Sequence, residues 1–421
     1  HSGPGTANII NGIADAYSDN VPLLLLTGQV QSYNIDTNYK QYVKQQELTN
    51  PLTVYSGLLT NPDSIIDLLY KAMTRSIIKG GVSHLVIPMD LWDQPTKAKA
   101  RKYPEHLNTK KIPDPQMIDQ AVEEINNSSQ PVIIYGRGGL NNKDELKNLS
   151  EKIGAPLINS LPASGMFNFE YPNNLGGLGH AGNEKNTEIL GQSDLIIIIG
   201  ATWWPMDYTP RHPHVIQLDV VMENIGATHP VDTGIVGDIK ITLNSLLEKI
   251  NDKNNPDWIN KINQAHNDWL NELNSKVEKN DKNPLNPEVV MNAISESIDE
   301  NEIITLDSGD NVIWFARYFK KTCQNILLSG TWRTMGFSIP AAITARINQP
   351  ETPVTAITGD GGLSMVMGEL LTAPRYNLPV RIIIINNASL SLEKNKMESA
   401  NLSIEEVDLN NPDFVQIAQS C

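Results

Sequence analysis

Apolar and polar residues alternate along this chain in blocks, and one arrangement recurs: a short apolar run, a glycine turn, then a polar stretch with helical spacing. It is plainest from Val354 to Asn387. VTAIT leads into Gly359-Asp360-Gly361, a helical-looking run continues to Asn377, and LPVRIIIINN ends at Asn386-Asn387. That order predicts a β-turn-α-β unit, with Asp360 and Asn387 at the carboxyl ends of neighbouring parallel strands. Earlier, the GPG turn at Gly3–Gly5 opens an alanine-rich helix, and buried strands are predicted at Val21–Thr27, closed by Gly28, and at Ser83–Met89. PVIIYGRGG from Pro131, DLIIIIGATWWP from Asp194 and HVIQLDV from His214 predict a second, six-stranded, Rossmann-like sheet. ITLDSGD, Ile304 to Asp310, opens a third with a strand and a glycine turn. Small residues at Ala341, Ala342 and Ala345 let the helix that follows approach its sheet.

Two polar stretches separate these sheets. Gln94–Pro115 is basic and proline-containing, as an exposed linker would be. Lys249–Pro287 is Asn/Lys-rich with helical spacing, and Trp258 and Trp269 read as its packing anchors. A length of 421 residues suits two to four domains. The net charge of −15, with no basic stripe to relieve it, argues against a nucleic-acid partner. Two cysteines, Cys323 and Cys421, make no disulfide framework, so a reducing cytoplasm is expected. No apolar run reaches a membrane span and no signal peptide is visible. His1–Gly5 reads like the middle of a fold, and the helical run Phe414–Gln419 reaches Cys421 without a stop signal. The expectation is a sequence truncated at both ends, with membrane contact left open through a missing C-terminal tail.

The chemistry on offer in the Val354–Asn387 unit is a hard divalent cation holding a diphosphate. Asp360 supplies a carboxylate oxygen and Asn387 an amide oxygen, both suited to Mg²⁺. Gly359, Gly361 and Gly362 let backbone N–H groups come close to phosphate, and a helix starting near Leu363 adds its dipole. GDG alone fits a helix-capping turn equally well. GDG with Asn387 placed 27 positions on, across a helix and an apolar strand, is far more specific.

With MxxxEL (Met365 to Leu370), Thr372-Ala373, LPV and the Asn pair, this stretch resembles the thiamine-diphosphate motif of the acetolactate synthase and pyruvate oxidase family. The opening, GPGxxNxxxGIADAYxDxVPLLxxTGQV, is similar to the family's pyrimidine-binding domain. The resemblance implies an α/β fold of three doubly wound parallel-sheet domains. These are a partial pyrimidine-binding domain at 1–94, a central FAD- or nucleotide-binding-like domain at 115–250, and a diphosphate-binding domain at 285–421 whose end is missing.

It also implies site residues. Gly3, Pro4 and Asn8 would face the cofactor, and Gln46-Glu47 sits where the family has a Gln-Glu pair approaching the active site; a solvated helix start reads equally well. Met335 would support the bent cofactor, or else be a gap filler. Main-chain groups at Ser308, Gly309 and Asp310 and at Gly362-Leu363 would hold the diphosphate, while Asp360, Asn387 and the Ser389 carbonyl would ligate Mg²⁺. In flavin-containing members, loops matching Gly136-Arg137-Gly138, Gly176–Gly182, Gly200 to Trp204, Asp219-Val220 and Gly237-Asp238 contact FAD, and Trp203 and Trp204 would cover it or simply pack. The glutamate that activates the cofactor in this family lies upstream of GPG, outside this sequence.

The expected activity is decarboxylation of pyruvate or a related 2-oxo acid with thiamine diphosphate and Mg²⁺, the electrons passing through FAD. Acetolactate synthase-type carboligation is the alternative, and a non-catalytic diphosphate- or nucleotide-binding paralogue is an alternative of another class. Branch signals are mixed. Ser391 and Glu393 depart from the usual glycine and apolar residue, whereas Lys394 and Pro412–Phe414 resemble pyruvate oxidases. A plain nicotinamide dehydrogenase fits poorly, because no GxGxxG opens a βαβ unit. Since the family's active site lies between the first domain of one subunit and the last of another, a homodimer or homotetramer is expected.

Overall fold

The computed structural model describes residues 1–102, 110–202, 206–278, 284–321 and 325–421. The chain forms two compact units: residues 1–109 with 329–334, and residues 110–328 with 335–421. Trp203, Trp204 and Cys323 lie outside the described residues, as does part of the linker; Cys421 is an exposed free thiol. Among the described residues no helix is long and apolar enough to cross a membrane.

The first unit runs α1 (Gly3–Asn8), α2 (Ile10–Ser18), β1 (Leu23–Gln29), α3 (Gln45–Thr49), β2 (Tyr55–Leu58), α4 (Ile65–Lys79) and β3 (Val82–Pro88). All three strands are parallel, in the order β1-β3-β2. The central strand β3 is buried along its whole length. By contrast β1, expected to be buried, lies at an edge with Leu23 and Leu26 exposed. GPG is not a turn before the helix but its first turn. Pro4 sits where a missing N–H does no harm, and a Cβ on Gly3 would fall 2.4 Å from the Gln41 carbonyl oxygen.

Residues 329–334 complete this unit. The Trp332 indole donates to Asn11 Oδ1 (2.8 Å), the Thr331 amide to Asp19 Oδ1 (3.0 Å), and Asn11 Nδ2 to Thr334 Oγ1 (2.7 Å). At its core His84 is fully buried on β3. Its Nε2 meets Thr27 Oγ1 at 2.7 Å, and its Nδ1 meets Thr49 Oγ1 at 2.8 Å and Ser56 Oγ at 3.2 Å. Thr27 in turn donates to buried Gln45 (2.5 Å). Burial pushes the His84 imidazole down to about 4.

The second unit holds two sheets. The first contains α5 (Pro115–Asn127), β4 (Pro131–Tyr135), α6 (Lys143–Ile153), β5 (Leu157–Asn159), β6 (Asn174–Gly177), α7 (Lys185–Gln192), β7 (Leu195–Ile199), β8 (His214–Asp219), β9 (Thr233–Val236) and α8 (Ile239–Lys249). Its six parallel strands follow the order β6-β5-β4-β7-β8-β9, which reverses between β4 and β7. Those two strands and β5 are buried on both faces, as continuous Ile/Leu/Val runs require. Trp258 and Trp269 on α9 (Pro256–Glu278) are buried, the first under this sheet and the second against Phe169.

The remaining sheet follows α10 (Pro287–Ser297). It comprises β10 (Ile303–Leu306), α11 (Asp310–Tyr318), β11 (Asn325–Leu328), α12 (Ser338–Asn348), β12 (Val354–Gly359), α13 (Asp360–Met365), α14 (Thr372–Arg375), β13 (Arg381–Ile385), α15 (Ser391–Ser399) and α16 (Phe414–Ser420). Parallel order is β11-β10-β12-β13, with the reversal between β10 and β12. The helix expected from Leu363 to Asn377 instead starts at Asp360, stops at Met365, and resumes as a tight turn and α14. Gly368, with open space around it, weakens that stretch as a helix. Ala342 and Ala345 are buried where α12 packs on β10 and β12.

Candidate active site

In a doubly wound sheet, ligands bind outside the carboxyl ends of the strands, where the strand order reverses. In the third sheet the residues after β10 and β12 lie at that point, and Asn387 and Ser389 follow β13, the next strand beyond β12. Asp360 opens α13 directly after β12 and is buried. Its Oδ1 accepts from the Gly361 amide (3.0 Å), and its Oδ2 from the Ala388 amide (2.8 Å) and Asn411 Nδ2 (2.6 Å). Ala388 reaches it because its backbone is left-handed, at φ 54°. Asn387 is exposed, its Oδ1 accepts from the Ser389 amide (3.2 Å), and its Nδ2 is held by Ser391 Oγ.

The loop carrying Asn387 is pinned by residues 407–409. Leu390 N donates to Val407 O (2.7 Å) and Leu409 N to Ala388 O (2.8 Å), with Ser389 opposite Asp408 in antiparallel pairing. Among the described residues no three His, Cys, Asp or Glu are grouped to share a metal. The oxygen donors that this turn and loop carry are the Asp360 carboxylate, the Asn387 side-chain amide and the Ser389 main-chain carbonyl. Such an oxygen-only set suits Mg²⁺, whose remaining positions go to phosphate and water. The buried Ser389 hydroxyl has no hydrogen-bond partner, which fits a loop built to face a further polar group.

Across the reversal lies the end of β10. Ser308 donates its amide to Asp307 Oδ1 (2.9 Å), so that N–H is already committed. Gly309, at φ 142°, turns the chain into α11, and Asp310 begins that helix. Burial pushes the Asp310 carboxyl up, against the pull of nearby Lys396. Met335 is half-buried, and a Cβ on Gly361 would lie 3.3 Å from Met335 Cε and 2.7 Å from Leu390 Cδ2. Gly361 thus leaves room for those two side chains to close over the turn.

The central sheet gathers a different set at its own reversal. Gly136 donates its amide to Ile199 O (2.9 Å) and Gly138 to Gly200 O (3.0 Å). A Cβ on Gly138 would fall 2.8 Å from Gly200 Cα, and one on Gly136 2.4 Å from Gly200 O. Arg137 between them is exposed. Asp219, ending β8, is buried, and its Oδ1 accepts from the Val221 amide (2.8 Å) and Asn224 Nδ2 (3.1 Å); burial pushes its carboxyl up. Asp238 caps α8 through the Ile241 amide (3.1 Å) and lies 3.7 Å from Lys110. Gly176 and Gly179 have left-handed backbones, and Gly182 lies against Gly177 too closely for any side chain.

Gly3, Pro4, Asn8 and Gln46 belong to the first unit. Pro4 and Asn8 are exposed on α1, and half-buried Gln46 on α3 donates to the Ser56 carbonyl (3.4 Å). Sequence reasoning missed Asn411, which bridges Asp360 and Asn386 (2.9 Å), and Asp307. Asn411 shows only as a turn residue before Pro412. Asp307 shows as an acid closing an apolar strand.

Three family models match in chain order. The N-terminal TPP binding domain of thiamine pyrophosphate enzymes matches residues 1–49, the central domain residues 118–246, and the C-terminal TPP binding domain residues 307–421. A Bacillus subtilis protein named as thiamine pyrophosphate-containing, YdaP, is 32% identical over 423 residues, covering 100% of this chain and 73% of that protein. The chain belongs to the thiamine pyrophosphate enzyme family. Pyruvate oxidase of Lactiplantibacillus plantarum is 28% identical over 427 residues, covering 99% of this chain and 70% of that enzyme. Acetolactate synthase isozyme 1 large subunit of Escherichia coli is 30% identical over 406 residues, covering 93% and 70%. As a thiamine pyrophosphate enzyme the protein is of the oxidoreductase or transferase type, and its three parallel-sheet domains are those of the family.

Proposed function

We propose that the protein decarboxylates pyruvate or a related 2-oxo acid with thiamine diphosphate and Mg²⁺, and passes the electrons to FAD. What supports this is that Ser308–Asp310 after β10 and the GDG turn after β12 flank the reversal of the third sheet, and that the loop after neighbouring β13 is tied to Asp360 through the Ala388 amide. A second reversal in the same chain, with Gly136, Gly138 and Gly200 at its lip, supports a dinucleotide there. When bound, thiamine diphosphate supplies the nucleophilic carbon and the electron sink for loss of CO₂, and FAD takes the electron pair.

The protein's part is to hold and orient. Asp360, Asn387 and the Ser389 carbonyl would hold Mg²⁺, whose charge offsets that of the diphosphate. Ala388 and Asn411 fix the Asp360 carboxylate, so it would meet a metal already oriented rather than be ordered on binding. Met335, resting at Gly361, gives the cofactor an apolar support beside the turn. A homodimer or homotetramer belongs to the same reading and is read directly by light scattering.

The test is an absorbance spectrum of the full-length protein before and after anaerobic pyruvate with thiamine diphosphate and Mg²⁺. A flavin spectrum that bleaches is the expected result. A flavin spectrum that stays while acetolactate accumulates would replace the oxidase reading with carboligation. Neither flavin nor pyruvate consumption would overturn both.

A further inference from the structure

Asp307 is 1% exposed, and among the described residues no cation pairs with it. A carboxylate in such a place is tolerated only when donors surround it. Five do. Oδ1 accepts from the Ser308 amide (2.9 Å) and the Gly336 amide (2.8 Å). Oδ2 accepts from Ser338 Oγ (3.0 Å), Thr358 Oγ1 (3.0 Å) and, at a long 3.5 Å, the Ser338 amide. One carboxylate therefore ties the end of β10 to the end of β12 and to the start of α12.

Its position is awkward for an anion site. A Cβ on Gly362 would lie 2.9–3.0 Å from the Asp307 carboxyl atoms, so the group abuts the turn that receives a diphosphate. Through space, a negative charge there opposes a second one. What it holds must outweigh that repulsion. The segment it holds is Met335–Ser338, where Gly336 is left-handed at φ 77° and Met335 reaches Gly361.

We propose that Asp307 is a positioning residue for thiamine diphosphate: its carboxylate fastens the Gly336–Ser338 segment to the sheet and so sets where Met335 lies at the GDG turn. This rests on the thiamine-diphosphate reading of the site. Asp307 touches no reacting atom; it acts through Met335. The alternatives differ in sign. A purely electrostatic role makes removal of the charge tighten anions, whereas a positioning role makes it weaken the ligand that needs Met335.

The experiment uses full-length protein as wild type, Asp307→Asn and Ser338→Ala. Binding of thiamine diphosphate and of inorganic pyrophosphate, both with saturating Mg²⁺, is followed by intrinsic fluorescence. Hydrogen exchange of residues 335–338 is measured without cofactor. Asp307→Asn should weaken thiamine diphosphate about tenfold, while pyrophosphate changes less than about threefold and the Gly336 amide exchanges faster. Ser338→Ala, which removes one donor and leaves the carboxylate, should move both readouts the same way by about two- to threefold. Equal loss for both ligands, tighter binding, or unchanged exchange in Ser338→Ala would overturn the proposal, also where Asp307→Asn fails to fold. Wild type that binds pyrophosphate but not thiamine diphosphate would overturn the underlying reading instead.

Discussion

The central and third sheets of the second unit reverse strand order in the same way, yet the two crevices are furnished differently. At the β4/β7 reversal the loops close on each other through backbone alone: Gly138 donates to Gly200 O, and neither residue can carry a side chain without collision. At the β10/β12 reversal the loops are joined by carboxylates. Asp307 gathers amides and hydroxyls on one side, and Asp360 gathers Ala388 and Asn411 on the other. Topology fixes where a ligand sits, while the local residues decide whether the site is shaped by close approach or by charge. A backbone-shaped crevice should fail by steric change, and a charge-built one by loss of a single oxygen.

The largest expected effect is at the charge-built crevice. Asp360→Ala should weaken Mg²⁺-dependent thiamine diphosphate binding roughly a hundredfold or more, measured by calorimetry, while any flavin absorbance stays unchanged. Next comes its counterpart. Gly138→Val places a side chain into Gly200 and should lower stability by about 1–3 kcal/mol in urea unfolding, with loss of flavin and unchanged thiamine diphosphate affinity. Parallel loss of both ligands in either variant would mean that the crevices are not independent.

The first unit is a control whose polar core is neutral. His84 sits among Thr27, Thr49 and Ser56, with Gln45 behind Thr27, and burial alone depresses it to about 4. Below the unfolded value of about 6.5 the unfolded chain takes up a proton that the folded one refuses until about 4, so stability falls as pH drops through that window. The loss should be about 2 kcal/mol at pH 5 relative to pH 7, and His84→Gln should flatten that limb of the urea midpoint against pH. The smallest effect is at Asn411. Asn411→Ala removes one donor from Asp360 and should weaken Mg²⁺ about fivefold without changing the urea midpoint by more than about 0.5 kcal/mol.

Much of this was legible in the sequence because long apolar runs and glycine turns are local signals. Val354–Thr358, Leu195–Ile199 and His214–Asp219 emerge as strands from their composition. Leu157–Asn159 does not, since three residues give no period to read. The extent of burial of β1 was misjudged because a leucine run does not say how many neighbours a strand has. GDG and Asn387 carry their meaning in their spacing, whereas Asn411 and Asp307 act through partners distant in sequence. Asn411 meets Asp360 across 51 positions, and Asp307 meets Thr358 across the same separation. No window along the chain displays such a pairing.

The attachment of residues 329–334 to the first unit bears on the order in which the protein is made. Trp332 binds Asn11 of α2 and Thr331 binds Asp19 just past its end, so that unit is discontinuous along the chain. A ribosome adding about 5–20 residues per second leaves a gap of roughly 10–40 seconds between the emergence of Thr109 and that of Ser329. During that interval the hydrogen bonds from Trp332 to Asn11 and from Thr331 to Asp19 are still to form, while the whole central sheet is being synthesised. The contacts that residues 329–334 make with Asn11 and Asp19 thus form only after the whole central sheet has emerged.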